Sequence, residues 1–437
     1  MSLSQNKSVV IGGGIAGLLC ARVLSDFSKE VLIIEKEELP DDLSPRKGIP
    51  QGFHTHTLLD SGRRILNDYF PGFTDELIKN GNCSGDQTRD LKWFHHGIWK
   101  YSEPIGETLN IQSRWHLEGL ARKKVKALPN VKFIVDKVED VSISENRVSA
   151  VVGKKNTYQA DLVMDCSGPI SLIKNILQKH GYMTPPELRI KIDLKYATYL
   201  YKRKPEEKLD WTAMAIYPEA PLGNKSGILF PIVDEKHGPC WQLTAVGRNG
   251  EFPGNTHEDF LEFLRNLDKP DLHDFITKQT LISDKGHHVG FKENIRTYFD
   301  HLLRYPSGLL PCGDSFGRIN PIFGQGMSIA AIESEILKNT FLEVNDTKTL
   351  TSLYLKRIGC FFDIPWFLVN CEDWRYPNVP GRRKAVKFIN WYTGKLHKLC
   401  SNDKQIVSDM YSVIHFNKKP ITLFKPKTVL KALFKKA

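Results

Sequence analysis

Three glycines and one acidic residue near the amino terminus have the types and spacing needed to hold phosphates and a ribose. Gly12, Gly14 and Gly17 follow an apolar run in G-x-G-x-x-G spacing, and Glu35 ends a second apolar run eighteen positions after Gly17. The first glycine of such a pattern permits a tight turn, the second lets a pyrophosphate approach the backbone, and the third lets the next helix pack closely. The helix N-terminus offers free N–H groups to phosphate. This stretch therefore predicts a binding site for an adenine dinucleotide.

A second stretch with chemical content is GDSFGRINPIFGQGM, residues 313–327. Asp314 follows a buried apolar run, where a carboxylate can accept hydrogen bonds from sugar-type hydroxyl groups. The segment 324–327, GQGM, begins an apolar helical pattern and again points backbone N–H groups at a negative or electron-rich centre. The nearby G-x-S-x-G match at 313–317 is not followed at once by a helix, so we do not interpret it as a nucleophile elbow.

The elements that must position these motifs follow from the hydrophobic pattern. Short apolar runs at 9–11, 31–34, 162–164 and 308–312 predict buried strands, whereas residues 191–246 alternate with the period of a half-buried sheet. We predict an α/β fold, in which a Rossmann-type domain is interleaved with an antiparallel β-sheet substrate domain and followed by a helical C-terminal region. The predicted boundaries are 1–75, 105–182 and 284–355 for the first domain, 76–104 and 183–283 for the second, and 356–437 for the C-terminal region.

Composition narrows the class of protein. The chain has 437 residues, 41% of them hydrophobic and 25% charged, which is ordinary for a globular protein with proper cores. The chain contains no run of about 18 apolar residues, so we predict no membrane-spanning helix. The N-terminus lacks an apolar signal core, and the eight cysteines include no C-x-x-C pair. These features predict a cytoplasmic protein with reduced thiols and no zinc site.

The positive charge of the chain is confined to its C-terminal part. Residues 381–437 contain 14 Lys and Arg against Asp403 and Asp409, a net charge of +12, while the remainder carries −1. Aromatic and aliphatic residues such as Trp391 and Phe424 lie among these lysines, and 429–436 places apolar groups on one helical face with Lys431, Lys435 and Lys436 elsewhere. Two interpretations remain open: a packed helix with a solvated basic face, or attachment to an anionic membrane surface. No recognition motif predicts binding to nucleic acid.

Taken in order, three motifs resemble the FAD-dependent monooxygenases of the para-hydroxybenzoate hydroxylase type, and the related flavin halogenases and geranylgeranyl reductases. They are PQGFHTH after Arg46, DCSG at 165–168, and GDS…NPIFGQGM, and the resemblance extends from Val9 to about Pro377. It implies that FAD is the dinucleotide. The cofactor-binding residues that we expect are Gly12, Gly14, Ile15, Ala16, Gly17, Glu35, Lys36, Arg46, Arg114, Val138, Asp314, Pro321, Gly324, Gln325, Gly326 and Met327.

Within that set the resemblance assigns roles. The first glycines and Glu35 hold the ADP half, Val138 meets adenine through its backbone, and Asp314 takes the ribityl chain. Pro321 lines the flavin face, and the N–H groups of 324–327 favour the negative charge of reduced flavin. The middle motif departs from the family pattern, because Ser167 replaces an aspartate and no arginine follows closely; Lys174 is the nearest basic residue. We therefore expect NADPH or NADH as a transient donor, either directly or through a separate flavin reductase.

The activity that the resemblance implies is monooxygenation, by hydroxylation or epoxidation, of an apolar or aromatic small molecule. A flavin hydroperoxide formed with molecular oxygen would carry out the transfer. Three alternatives stay open: a flavin-dependent prenyl-chain reductase or halogenase, a non-redox flavoprotein of cyclase type, and a binding module that has kept FAD without turnover. We assign no catalytic residue from the sequence, because in this chemistry the flavin performs the difficult step.

Several polar and aromatic residues remain as candidates for the substrate site. His54 and His56 share a face on an extended segment, and aromatic residues are frequent in the sheet-rich part. The predicted substrate-binding residues are His54, His56, Tyr199, Trp211, Phe230 and Trp241. Adjacent histidines such as His95-His96 normally point apart, and Glu372-Asp373 has no evident partner, so we interpret neither pair as functional. We predict no metal site.

Overall fold

Residues 3–46, 48–204 and 206–434 are described in the computed structural model of the chain. Its helices are α1 Ile15–Phe27, α2 Asp60–Tyr69, α3 Phe73–Lys79, α4 Arg114–Lys126, α5 Ile173–Lys179, α6 His257–Arg265, α7 Asp271–Ile276, α8 Gly326–Glu343, α9 Thr347–Asp373, α10 Lys384–Leu399, α11 Lys404–Ile414 and α12 Pro426–Phe434. Short 3₁₀ turns, among them Gly313–Ser315 and Pro321–Phe323, connect several of them.

The strands alternate with these helices in the first part of the chain and follow one another in the middle. They are β1 Gln5–Ile11, β2 Ser28–Glu35, β3 Cys83–Asp86, β4 Leu91–His95, β5 Ile98–Trp99, β6 Thr108–Ile111, β7 Val131–Val135, β8 Val138–Ser144, β9 Arg147–Gly153, β10 Thr157–Gln159, β11 Leu162–Asp165, β12 Glu187–Lys202, β13 Ala213–Ile216, β14 Lys225–Asp234, β15 Gly238–Arg248, β16 His287–Thr297, β17 Leu309–Pro311 and β18 Gly317–Arg318.

A five-stranded parallel sheet, in the order β17-β11-β1-β2-β7, forms the centre of the first domain. Its strands read as continuous apolar runs because both faces are covered; Val9, Val10, Val31 and Ile33 have no exposed surface. In open parallel sheets, ligands bind beyond the carboxyl ends of the strands. Here the loops after β1, β2, β11 and β17 meet at that edge, and they carry both glycine motifs. The predicted α/β class is confirmed.

An eight-stranded sheet forms the second layer of the structure, in the order β18-β16-β12-β15-β14-β13-β4-β5. Its neighbours are antiparallel except for β13 and β4. The strand β16 lies at 287–297, inside the stretch that we expected to belong to the first domain, yet it pairs with β12 along most of its length. Side chains along β16 alternate in exposure, as they do in a strand with one solvated face. This pattern is weaker than the apolar run of β17, so the sequence did not indicate that β16 belongs to the other sheet.

The C-terminal region is helical, as predicted. Helices α10 and α11 and the turn Pro420–Phe424 share a small core that includes Tyr392, Leu396, Tyr411 and Leu423. Trp93 and Tyr101 of the substrate domain pack against that core, and the Tyr101 amide donates to the carbonyl of Cys400 at 2.7 Å. Lys435 and Lys436 lie outside the described residues. No helix in the described part of the chain is both long and apolar enough to cross a bilayer.

Candidate functional site

The glycine loop after β1 is packed so closely against neighbouring backbone that Gly12 and Gly17 have no space for a side chain. Gly12 has a φ of +101°, and a Cβ on Gly17 would stand 1.9 Å from the carbonyl oxygen of Gly12. Helix α1 begins directly after Gly14, without a side-chain cap and without an acidic residue in its first turn. Its first N–H groups are therefore available to an anion, and the helix dipole favours a negative charge there.

Charged side chains converge beside this loop. The Glu35 carboxylate accepts from the Gly13 amide at 2.9 Å, and Arg46 Nη1 lies 3.1 Å from the same oxygen. Arg46 also reaches Glu118 on α4 at 2.8 Å, and Arg114 Nε stands 3.6 Å from Glu118 Oε2. These four side chains bring α4 and the loop after β2 to the edge where the glycine motif lies. A cavity of about 290 Å³ is lined by Arg46, Arg114, Glu118 and their neighbours.

The second motif completes the cleft from the other side. The Asp314 side chain is accessible within this deep cleft. The surrounding protein limits the hydration of its carboxyl and so raises its pKa, whereas the positive charges of Arg318 and Arg114 lower it. Gln325 precedes α8, which begins without a side-chain cap. Gly324 has a φ of +66°, and a Cβ there would meet Thr57, the residue directly after His56. The N-termini of α1 and α8 thus both offer backbone donors to one cleft.

These residues fit an FAD molecule. Gln325 Oε1 is buried and has no hydrogen-bond partner among the described residues, which is unusual for native proteins unless a ligand or water supplies one. Arg114 Nε and Glu118 Oε2 are also buried, and they form an ion pair with each other at 3.6 Å, a distance too long for a hydrogen bond. The loop of Gly12–Gly14 would accommodate a pyrophosphate, Glu35 lies where a ribose would be, and Asp314 of the second motif lies just after β17. Val138 follows β7, the strand that pairs with β2 up to Glu35, so its backbone lies beyond the ribose end.

A larger cavity lies between the second motif and the eight-stranded sheet, and its empty volume of about 460 Å³ includes space open to solvent. It is lined by His95, Leu194, Tyr217, Pro218, Ala220, Asn224, Ser226, Val246, Arg248, Ile322, Phe323, Glu372 and Tyr376. Ile322 and Phe323 belong to the NPIFGQG segment, and Tyr217 donates to the Ile322 carbonyl at 2.9 Å. The cavity is thus mainly apolar with a few polar groups, as small-molecule sites usually are.

One buried carboxylate ties this cavity to the cofactor motif. Asp373 Oδ1 accepts from Arg248 Nη2 and from Asn320 Nδ2, each at 2.8 Å, and Oδ2 accepts from Asn294 Nδ2 at 2.8 Å. Asn320 precedes Pro321 and holds the Ile322 amide through Oδ1 at 3.1 Å. Arg248 Nη1 stays buried without a partner among the described residues. The network positions the loop that lines the cavity and leaves one donor for a bound molecule.

Comparison with known proteins agrees with this geometry. Residues 10–40 match the family model described as an NAD(P)-binding Rossmann-like domain. The chain is 27% identical to Protein Rv3254 of Mycobacterium tuberculosis over 76% of this chain and 72% of that protein. It is 25% identical to kynurenine 3-monooxygenase of Salinispora arenicola, over 77% and 72%, and 22% identical to squalene monooxygenase of Rattus norvegicus, over 79% and 56%. The last match spans little more than half of that relative.

The chain is related to the FAD-dependent monooxygenases. The predicted resemblance and enzyme class, an FAD-dependent oxidoreductase, are thereby confirmed. Solved structures agree at the level of the fold: the flavin-dependent brominase Bmp2 gives a TM-score of 0.69 at 16% identity, over 94% of each chain. p-Nitrophenol 4-monooxygenase PnpA from Pseudomonas putida DLL-E4 gives 0.64 at 16% identity, over 96% of this chain and 100% of that one.

The predicted substrate residues of this oxidoreductase lie elsewhere than the large cavity. Tyr199 packs against Phe260, Trp211 and Trp241 pack around Phe275, and Phe230 belongs to another core cluster. None of these four side chains lines the large cavity, because aromatic residues on a long sheet mostly fill its faces. Their role in binding a substrate stays a prediction.

The two histidines of the PQGFHTH motif have local partners. His54 Nδ1 is 2.7 Å from Thr198 Oγ1 on β12, and His56 Nδ1 is 2.7 Å from the His54 carbonyl. Burial lowers the pKa of His56 to about 4, and the positive charge of Arg114 contributes to the shift. His56 therefore lies on the cofactor side of the enzyme, and His54 fastens this loop to the eight-stranded sheet. Neither lines the large cavity.

A histidine cluster that the sequence did not reveal reaches that cavity through His95. The rings of His95 and His96 lie 4.1 Å apart, and His397 of α10 stacks on His96 at 4.2 Å. Adjacent histidines meet here, against expectation, because His96 and Gly97 both have positive φ in the two-residue turn between β4 and β5. The alternation of a regular strand is thus broken. The sequence feature that could have indicated this turn is the pair His96-Gly97 between two short apolar runs.

Glu372 and Lys100 surround this histidine cluster. Burial lowers the pKa values of His95 and His397 well below their usual range and that of Lys100 to about 8. Although burial alone would raise it, Arg375 and His96 hold the pKa of Glu372 well below its usual range. Glu372 and Asp373, for which the sequence showed no partner, are ion-paired with Arg375 and Arg248.

A second cluster lies behind the glycine loops. The eight cysteines, all within the described ranges, are free thiols, and Cys20, Cys166 and Cys312 converge with their sulfur atoms within 4.8 Å of one another. Glu333 of α8, which has no exposed surface, accepts from the Gly313 amide at 2.6 Å, and burial raises the pKa of its carboxyl well above the usual range. Glu333 thus holds the turn before Asp314 in place, and sequence reasoning missed it because an acid within an apolar helix gives no local sign of its partner.

Proposed function

We propose that the enzyme is an FAD-dependent monooxygenase that hydroxylates or epoxidises a small apolar or aromatic molecule bound in the 460 Å³ cavity. The observation that carries the proposal is the position of this cavity between residues 322–323 of the cofactor motif and the eight-stranded sheet. Bound flavin would supply the redox chemistry, the two-electron reduction of molecular oxygen by a donor. One oxygen atom would enter the substrate, and the other would take up two protons and leave as water.

The residues of the chain then have three tasks. Gly12, Gly14, Glu35 and Asp314 hold the cofactor. The apolar side chains Leu194, Val246, Ile322 and Phe323 exclude water from the substrate.

Polar groups in the same wall orient the molecule. His95 Nδ1 and Arg248 Nη1 are buried without partners among the described residues, and both side chains line the cavity. Because an unpaired buried donor is costly, a substrate with one oxygen function that pairs with them is favoured over a pure hydrocarbon. His95 is neutral, since burial lowers its pKa, and it can donate or accept at Nδ1 according to its tautomer.

The electron donor is a nicotinamide, NADPH or NADH. Asp165 of the middle motif is fully occupied, accepting from Ser167 at 3.0 Å and 2.5 Å and from Ser171 Oγ at 2.6 Å, and Lys174 pairs with Glu187. This tight turn offers no free arginine to a nicotinamide phosphate, which supports reduction through a separate flavin reductase. Oxidation of NADPH by the purified FAD-loaded enzyme alone would contradict that route and support direct reduction. We propose a cytoplasmic location for the reaction.

The oxygenation proposal is tested with FAD-loaded enzyme, a flavin reductase, NADPH and ¹⁸O₂. Phenol, benzoate, indole and naphthalene serve as probes, and mass spectrometry detects a product with one labelled oxygen atom. We expect labelled product from at least one oxygen-bearing probe, and a His95→Phe variant should raise its KM about tenfold while FAD affinity is kept. His301→Phe, on the surface, is the matched control. Reduced flavin that turns over oxygen without labelling any probe would contradict the proposal.

A further inference from the structure

The basic region, residues 381–437 of the C-terminal part, exposes several large apolar side chains in its described residues. Phe388 and Trp391 of α10 are 60% and 45% exposed, although soluble surfaces seldom display such rings close together. The others are on the turn Pro420–Phe424 and on α12. The exposed apolar residues of the region are Phe388, Trp391, Ile421, Phe424, Leu430, Leu433 and Phe434.

Three of these rings belong to one surface. The Phe388 ring lies 5.7 Å from that of Trp391 and 6.4 Å from that of the buried Tyr392, and Tyr392 stacks on Phe424 at 4.9 Å. We call Phe388, Trp391 and Phe424 the aromatic surface. Helix α12 packs against both α10 and the turn that carries Phe424, and it exposes Leu430, Leu433 and Phe434.

Basic residues surround the aromatic surface, and the acids of the region face inward. Exposed cations of the region include Arg382, Arg383, Lys384, Lys387, Lys395, Lys425 and Lys427. The two acids are buried in ion pairs: Asp409 with Lys418 at 2.8 Å, and Asp403 with Lys431 at 2.8 Å. What the region presents to a partner is therefore positive charge around exposed rings.

We propose that the aromatic surface docks this enzyme on an anionic membrane, with its rings in the headgroup boundary and the lysines on the lipid phosphates. This goes beyond the oxygenation reaction and does not depend on it. The combination of Trp and Phe with Lys and Arg on short helices is the pattern of interfacial attachment. A second copy of the chain is disfavoured as the occupant, because two regions of charge +12 would repel each other.

The surface adjoins the proposed substrate cavity. Tyr376, which lines the cavity, precedes α10 by eight residues, and His397 near the other end of α10 lies beside the cavity-lining His95, with ring centroids 5.0 Å apart. Docking through α10 would thus bring the cavity side of the enzyme to the bilayer, where apolar molecules concentrate. The sequence had left a solvated basic face as the alternative, and the exposed rings now favour the membrane.

The test is sedimentation of the full-length, FAD-loaded enzyme with vesicles. Vesicles of phosphatidylcholine with 30% phosphatidylserine are compared with phosphatidylcholine alone, at low and at high salt. We expect binding to the anionic vesicles that weakens at least tenfold at high salt or with pure phosphatidylcholine. The double variant F388S/W391S should lose at least tenfold in affinity. L222S/L303S, which removes two still more exposed apolar side chains elsewhere, should bind like the parent.

Light scattering without vesicles measures the molar mass of the protein and so tests whether a second copy of the chain occupies the aromatic surface. A monomer, in parent and variants alike, supports the membrane assignment. A dimer that F388S/W391S dissociates would overturn it and assign the aromatic surface to a second copy of the chain. Equal sedimentation of parent and F388S/W391S, or no sedimentation of the parent with anionic vesicles, would also overturn it. Thermal melting of F388S/W391S shows that the variant is folded, since both side chains are exposed.

Discussion

At the scale of single residues, Glu35 links the glycine turn to the charged wall of the cofactor cleft. Its carboxylate accepts from the Gly13 amide and pairs with Arg46, so it is held at the end of β2 by the protein itself. A carboxylate fixed in this way is ready to accept from ribose hydroxyls without further ordering. The contribution of Glu35 to FAD binding is thus expected to be large for one side chain.

Glu35→Ala should weaken FAD binding about 10- to 150-fold, because hydrogen bonds to a charged group are worth about 1.5–3 kcal/mol. Titration of deflavinated protein with FAD measures this change. Glu30→Ala provides the matched control on the same strand, since Glu30 pairs with Lys7 and Lys132 at the surface. A loss of affinity shared by both variants would mean that strand β2, rather than the ribose contact, is responsible.

Residues such as Glu35 were predictable because their role depends on spacing along the chain. Gly12, Gly14 and the acid at the end of the second strand are fixed by the geometry of one β-α-β unit. His95, Arg248, Glu372 and Glu333 were not predictable in the same way. Their partners come from distant elements, and only the packed structure shows that His96 and His397 share a stack or that Glu333 meets the Gly313 amide.

At the scale of elements, close contact between α1 and the loop after β1 decides whether the cofactor cleft forms. A methyl group at Gly17 would collide with the Gly12 carbonyl at 1.9 Å. Gly17→Ala should therefore lower the free energy of unfolding, toward the upper end of the about 1–3 kcal/mol that overpacking costs, and abolish FAD retention. Urea unfolding and the flavin absorbance of the purified protein measure the two effects.

Gly394 offers the opposite case with the same substitution. It lies inside α10, and a Cβ there would meet only a guanidinium nitrogen of Arg375, at 3.7 Å. Because alanine is the better helix former, Gly394→Ala should raise stability by about 0.5–1 kcal/mol. If both substitutions changed stability by the same amount, the steric account of Gly17 would be wrong.

The elements themselves were largely predictable, since the parallel strands are continuous apolar runs and the second sheet alternates. The boundary between the two domains was not predictable. Strand β16 is close to β17 in the sequence, yet it pairs with β12 in the other sheet. Strand pairing is decided by contacts across the fold. The same reason explains why Tyr199, Trp211, Phe230 and Trp241 turned out to be packed: alternation indicates which side chains share a face but not what covers that face.

At the scale of the whole molecule, Asp373 connects three parts of the chain. It joins α9 to Asn320 of the cofactor motif and to Arg248 and Asn294 of the eight-stranded sheet, and it has no exposed surface. Asp373→Ala should lower the free energy of unfolding by about 3–5 kcal/mol, because it leaves Arg248 buried without its partner. Urea unfolding measures this loss.

An exposed ion pair serves as the comparison. Glu343 pairs with Arg357 between α8 and α9, and its side chain is 52% exposed. Glu343→Ala should change stability by no more than about 1 kcal/mol, since solvent screens such pairs. A small effect of Asp373→Ala, comparable to that of Glu343→Ala, would mean that the three parts of the chain are held together by other contacts.

The central claim, that this enzyme uses FAD to activate oxygen for insertion into a substrate in the large cavity, is tested most directly by stopped-flow spectroscopy. The FAD-loaded protein is reduced without oxygen and mixed with aerated buffer, with and without the aromatic probes. The account predicts a transient absorbance distinct from both reduced and oxidised flavin, with a decay that a bound probe changes. A direct return from reduced to oxidised flavin, unaffected by any probe, would contradict it.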